Sequence, residues 1–295
     1  MKKILLIICI LCLSGCFKRD TMEDISIYTT IYPIEYITNR LYGNYATINS
    51  IYPNGVSVQL EKCDDCTYEL YTLTDKQLND YSQTELFVFN SLLHEGSYVK
   101  SMFNSNKNLK IINATDNLSI NDFYGLEEVW LDPSRMLTIS RNVKNGLFEY
   151  INNIYLKQDI ENNFEKLKEE LDKLSSKLTD TTKNATNKII LVNNDMFKFL
   201  SKDKYGLTVY NIDSNLSSKQ LEDIKSLIDN KTIKYIYIRQ YDEISDSISE
   251  LIKDTEVEVV RIHMLTNLTE TERSNKKDYF TIMNENIELL KKGLY

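Results

Sequence analysis

LKQDIENNFEKLKEELDKLSSKL, residues 156–178, places Leu156, Ile160, Phe164, Leu167, Leu171, Leu174 and Leu178 at spacings of 4, 4, 3, 4, 3 and 4. That rhythm is the period of an α-helix with one apolar stripe. Neither Gly nor Pro interrupts 158–178, and the opposite face carries Glu161, Glu165, Lys168, Glu169, Glu170, Asp172 and Lys173. One face is therefore expected to be buried and the other solvated. With only about three heptads, and other structure on both sides, the pattern predicts a long intramolecular helix rather than a coiled coil. The polar stretch 179–187 that follows reads as a linker.

Outward from this helix the chain shows the same rhythm twice. Upstream, ISIYTTIY at 25–32 is β-branched and aromatic and runs into Pro33, which can open a helix over 34–42. Similar β-prone runs follow at 46–52, 86–90 and 109–113, with helical stretches at 75–81 and 95–104. Downstream, strands are expected at 189–192, 207–210, 233–238 and 257–262. Helical segments at 196–202, 218–228 and 245–253 separate them, and a last helix spans about 278–294. Alternating strands and helices imply parallel-type sheets, so the fold class is α/β, with two α/β lobes joined by one long helix.

The first residues read as an address. Lys2 and Lys3 precede an unbroken apolar run at 4–13, and Leu13-Ser-Gly-Cys16 follows. That is the layout of a secretory signal, and ten residues at about 1.5 Å each cover half of a ~30 Å hydrocarbon core. Leu-Ser-Gly-Cys resembles the bacterial lipoprotein cleavage box, which would leave Cys16 acylated at the new N-terminus; a soluble secreted protein is the alternative. Cleavage also removes Cys9 and Cys12, so Cys63 and Cys66 are the free thiols, in a C-x-x-C pair outside the membrane. A four-thiolate structural zinc site would need a second pair.

Composition excludes several classes of function. The 295 residues carry 35 Lys+Arg against 43 Asp+Glu, so the chain is acidic, and loss of Lys2 and Lys3 makes it more so. A nucleic-acid backbone binder is normally basic. Only 8 glycines are present, and they form neither the G-x-G-x-x-G dinucleotide signature nor a P-loop.

Individual motifs resemble the solute-binding proteins of ABC importers, in particular the zinc- and manganese-binding branch. They are Tyr28-Thr-Thr-Ile-Tyr-Pro33, Cys66-Thr-Tyr-Glu69 in place of the family's His-Thr-Tyr-Glu, and Trp130-Leu-Asp-Pro133. Lys204-Tyr-Gly-Leu207, Ser218-Lys-Gln-Leu221, Ile233-Lys-Tyr-Ile236 and Asp278-Tyr-Phe-Thr-Ile-Met283 continue the match in order through the second half. The resemblance spans residues 25–294. It implies a solute cleft between the lobes, an ABC permease and its ATPase as partners, lipid anchoring on the extracytoplasmic face of the cell membrane, no enzymatic activity, and a monomer. The expected division is a signal peptide at 1–15, a tether at 16–23, an N-terminal lobe at 24–140, connecting helices and linker at 141–187, and a C-terminal lobe at 188–295.

The sequence departs from the family at the metal ligands, which are typically three histidines, or two and a glutamate, with a further carboxylate. Cys66, Glu128 and Asn194 stand at the first three positions, and the fourth falls on Lys277 beside Asp278. A lysine ammonium does not ligate a cation at neutral pH. Cys66, Glu128, Asn194 and Asp278 are the candidate ligands, with Cys63 and His263 in reserve and zinc as the transported solute. Thiolates favour zinc or copper(I), although Cys63 and Cys66 fit a local disulfide equally well. Glu127 and Glu128 suit a cleft or a solvated loop. Asn194 and Asp195 suit a ligand role or an N-cap. His263 can approach the cleft or be structural, and His94 lies away from the ligand positions. Arg239 and Lys277 suit salt bridges or an anion site. Two rival readings stand beside the metal importer. One is a surface protein that keeps the fold and binds another solute or a protein partner. The other is a thiol redox protein, against which the Asp64-Asp65 spacer argues.

Overall fold

A computed structural model describes residues 22–56, 71–92, 95–119, 126–214 and 216–295. The signal segment, Cys16, Cys63, Cys66 and His94 lie outside the described residues.

The first lobe is a four-stranded sheet. Strand β1 (Ile25–Thr29) buries alternate residues and leads into α1 (Tyr32–Tyr42), which has Pro33 in its first turn. β2 (Ala46–Ser50), α2 (Asp75–Tyr81), β3 (Leu86–Phe89), α3 (Gly96–Ser105) and β4 (Lys110–Asn113) follow. A capping box between Thr74 and Gln77 starts α2. The strand order is β2-β1-β3-β4 with every pairing parallel. All four residues of β3 are buried, as expected for an inner strand covered on both faces.

A short helix α4 (Glu128–Leu131), then α5 (Pro133–Tyr150) and the long α6 (Ile154–Lys183), connect the lobes. The α6 stripe is buried throughout: Leu156, Ile160, Phe164, Leu167, Leu171, Leu174 and Leu178 all lie in the main core. The helix is longer than the sequence suggested. Asn153 caps its start, accepting from the Tyr155 and Leu156 backbone N–H groups. Its end continues through Thr179 into the expected linker, because Thr182 is buried and its hydroxyl donates to the Thr179 carbonyl. A polar residue that satisfies itself on its own backbone is compatible with a packed helix.

The second lobe repeats the plan with β5 (Ile189–Val192), β6 (Thr208–Asn211), α7 (Ser218–Asp229), β7 (Tyr235–Arg239), α8 (Asp246–Ile252), β8 (Glu258–Ile262), α9 (Glu270–Ser274) and α10 (Tyr279–Leu294). Its order is β6-β5-β7-β8, again parallel. The helix expected over 196–202 is only a 3-10 turn at Lys198–Ser201. The main core extends from the first sheet along α6 into this lobe and includes Val192, Tyr237 and Ile262. A smaller cluster of Leu191, Ile212, Ile224, Ile228, Ile236, Ile238 and Ile248 covers the other face of the second sheet. Tyr237 and its neighbours Ile236 and Ile238 fall in different clusters because successive strand side chains point to opposite faces. Among the described residues, no helix is long and apolar enough to cross a membrane.

Candidate functional site

In both sheets the order reverses between two inner strands, β1/β3 and β5/β7, and α/β sheets gather ligands just beyond the carboxyl ends of strands at such a point. The two lobes meet through those ends. Tyr32, just after β1, donates its N–H to the Thr266 carbonyl at 3.0 Å. The Trp130 indole donates to the Met264 carbonyl at 2.8 Å, past the end of β8. Asn267 donates to the carbonyls of Pro53 (2.7 Å) and Val56 (3.0 Å). Arg273 makes a two-pronged pair with Glu35 at 2.7 and 2.8 Å.

At the centre of this seam, Glu127 and Glu128 are both about 1% exposed. Glu127 pairs with Arg239 at the end of β7. Glu128 pairs with Lys202, which follows the 3-10 turn of the second lobe, and lies 3.8 Å from the Arg135 guanidinium of α5. Asp132 accepts from the Tyr205 hydroxyl at 2.9 Å and lies 3.7 Å from the Lys204 ammonium. Burial holds the Tyr205 and Tyr279 phenols well above their usual range, so both remain neutral donors. Tyr279 spends its proton on the Trp130 carbonyl at 2.7 Å. Acids of the first lobe therefore meet bases and donors of the second, and charge is compensated locally.

The candidate ligands do not all gather here. Asn194 donates to Asn193 at 2.7 Å and accepts from the Met196 N–H at 2.8 Å, so its side chain closes the turn after β5. Asn193 also holds Asp242 at 2.7 Å. Asp278 caps α10, accepting from the Thr281 N–H at 2.8 Å and hydroxyl at 2.6 Å. Lys277 turns to Glu285 at 2.7 Å. The His263 Nδ1 accepts from the Leu265 N–H at 2.9 Å, which leaves its proton on Nε2, 3.2 Å from Glu272. Burial lowers the pKa of that ring, and Glu272 opposes the shift only in part. Among the described residues, no group of three or more His, Cys, Asp and Glu is placed to hold a metal ion. Cys63 and Cys66 fall outside those residues.

Sequence reasoning identified Arg239 but missed Lys202 and Arg135 as the partners of Glu128. The available signal was chemical: two adjacent acids before the apolar Val129-Trp130-Leu131 require cations when buried. Glu95 was also missed. It is fully buried, accepts from the Tyr52 hydroxyl at 3.1 Å, and burial pushes its carboxyl up to about 8.

Comparison with known proteins gives a family match, two curated relatives and two similar structures. The family described as zinc-uptake complex component A, periplasmic, matches over residues 27–293. The zinc-binding protein AdcA of Streptococcus pyogenes serotype M1 is 30% identical over 172 residues, which cover 55% of this chain and 32% of that protein. The zinc-binding lipoprotein AdcA of Streptococcus pneumoniae strain R6 is 23% identical over 99% of this chain and 61% of its own length. The chain thus spans less than two thirds of these curated relatives. In structure it resembles the Zn(II)-bound ZnuA-like domain of S. pneumoniae AdcA, with a TM-score of 0.70, 22% identity and coverage of 92% and 99% of the two chains. The metal-dependent lipoprotein YcdH of Bacillus subtilis superposes with a TM-score of 0.71 at 21% identity, covering 92% and 99%. At these identities the likeness establishes the fold of two parallel-sheet lobes and a long helix.

Proposed function

The chain belongs to the family of zinc-uptake complex component A, a transport component rather than an enzyme, and from that membership we propose that it is the lipid-anchored, extracytoplasmic solute-binding subunit of an ABC importer. In this reading Cys16 carries the anchor, the permease and its ATPase are the partners, and zinc is the cargo. The zinc ligands are the Cys66 thiolate and Glu128, joined by Cys63. Asn194 and Asp278, the other candidates, spend their side chains on a turn and a helix cap in this arrangement.

The observation that carries the proposal is the buried Glu127-Glu128 pair at the seam, where strand ends of both lobes converge. Lys202 and Arg135 screen Glu128 in the closed arrangement. Opening of the lobes separates Glu128 from Lys202, which belongs to the opposite lobe. Thiolates supply the negative charge that the seam otherwise lacks, and they select zinc over manganese.

A second reading rests on the same seam. Arg135, Lys202, Lys204 and Arg239 surround Glu127, Glu128 and Asp132, an arrangement that suits an anionic solute better than a bare cation.

Titration of the reduced mature protein with zinc, followed calorimetrically, is expected to show roughly one site that weakens as pH falls and thiolates take up protons. Cys66→Ala and Glu128→Ala should each weaken it. A parent that takes up no zinc at micromolar concentrations, or two variants that bind as the parent does, would move the assignment to the anionic solute.

A further inference from the structure

Two apolar side chains stand out at one pole of the molecule. Ile154 and Tyr155, the first residues of α6, are 78% and 83% exposed, more than any other large apolar side chain among the described residues. Helix α5 descends from the seam to this pole, where Tyr150 bonds the Ile111 carbonyl near the start of β4 at 3.0 Å, and α6 rises from it. Isolated exposed apolar residues need no explanation, but an adjacent pair at a helix start shields no core.

The chain's N-terminal segment enters the structure at the same pole. Asn153 donates to Glu23 at 2.7 Å, one residue from the pair. Met22 is buried, and its carbonyl accepts from the Tyr42 hydroxyl, so the entry point is fixed. Six peptide steps separate Met22 from Cys16, and at ~3.3–3.6 Å each the tether reaches at most about 22 Å.

We infer that Ile154 and Tyr155 form a foot that inserts at the surface of the bilayer holding the Cys16 lipid. This rests on the lipid-anchor reading above. A lipid on Cys16 keeps the pole within one short tether of the membrane, so the foot binds at high effective concentration and two side chains suffice. Their chemistry matches an interface: tyrosine places its ring at the headgroup level and isoleucine reaches the acyl boundary. Lys157, two residues on, and Lys18 and Arg19 in the tether add attraction to anionic headgroups. With this pole on the membrane, the seam between the lobes stands clear of the bilayer.

The test uses the lipidated full-length mature protein on vesicles of equal parts phosphatidylcholine and phosphatidylglycerol, with and without brominated acyl chains. The chain has one tryptophan, Trp130, which is buried and gives a constant background. In Tyr155→Trp, the new emission should shift to the blue on the vesicles and be mostly lost when the chains are brominated. In Tyr295→Trp it should not change. Tyr295 bonds Thr181 at the other end of α6, roughly 39 Å away by helical rise. Vesicle-bound Tyr155→Trp whose emission ignores bromine overturns the foot, leaves the anchor standing, and assigns the pair to a protein partner. If the parent does not float with vesicles, and Cys16→Ala fractionates as the parent does, the anchor and the foot fall together.

Discussion

Leu167→Asp should destabilise the protein by about 5 kcal/mol or more, since a buried leucine is removed and a carboxylate is left without a partner in the core. Leu167 is 0% exposed and sits in the middle of the α6 stripe, within the apolar cluster common to both lobes. A loss of that size approaches the whole stability of an ordinary domain. The variant is expected to show no cooperative thermal transition, or one lowered by many degrees. Lys173→Ala, on the solvated face of the same helix, should stay within about 0.5 kcal/mol of the parent. Equal unfolding curves for the two variants would mean that the stripe is not buried.

The second large effect is a pH dependence centred on Glu95. Its carboxyl titrates near 8 in the folded protein because burial disfavours the charge, against 4.5 for the free group. Between those values the folded state holds a proton that the unfolded chain has released. Stability from this group is therefore complete below about pH 4.5, declines as pH rises, and is gone above about pH 8. At up to 1.36 kcal/mol per unit, the loss is on the order of 5 kcal/mol. Glu95→Gln keeps an acceptor for the Tyr52 hydroxyl and removes the titration. Urea unfolding should find the variant close to the parent at about pH 5 and several kcal/mol more stable at about pH 8.5. His263 acts in the opposite sense, its depressed pKa removing stability as pH falls, but it is common to both proteins and cancels in the difference. Parallel pH curves for parent and variant would show that Glu95 is ionised in the fold.

The architecture was legible wherever one residue type recurs with the period of an element. The seven-position stripe of α6 and the β-branched runs are of this kind. Helix α5 was less visible although Asp132 and Pro133 give it a cap and a first turn, because Asn142, Asn145 and Gly146 dilute its pattern. Gly146 is there for contact rather than propensity: a Cβ would lie 2.6 Å from a methyl of Ile112 in β4. Of the candidate site, Glu128 and Arg239 were legible as charged residues at element ends. The pairing of Glu128 with Lys202 was not, since 74 residues separate them and a tertiary ion pair leaves no periodic trace. Asn194 and Asp278 were read as ligand candidates from their positions, and both serve local hydrogen bonds, the commonest use of Asn and Asp beside a helix start.

The separation of the apolar side chains into one large cluster and one small one has a consequence for how the molecule opens. The small cluster is confined to one face of the second sheet, under α7 and α8, and has no share in the α6 stripe. Those two helices can detach by losing only that layer, whereas freeing α6 requires both lobes to come apart. Amide hydrogens in α7 and α8 should then exchange with solvent through a local excursion well below the global unfolding energy, and those of α6 only through complete unfolding. The protein is in this sense a slow-exchanging spine with one fast-exchanging flank, and a protease acting on the native state should cut first in that flank.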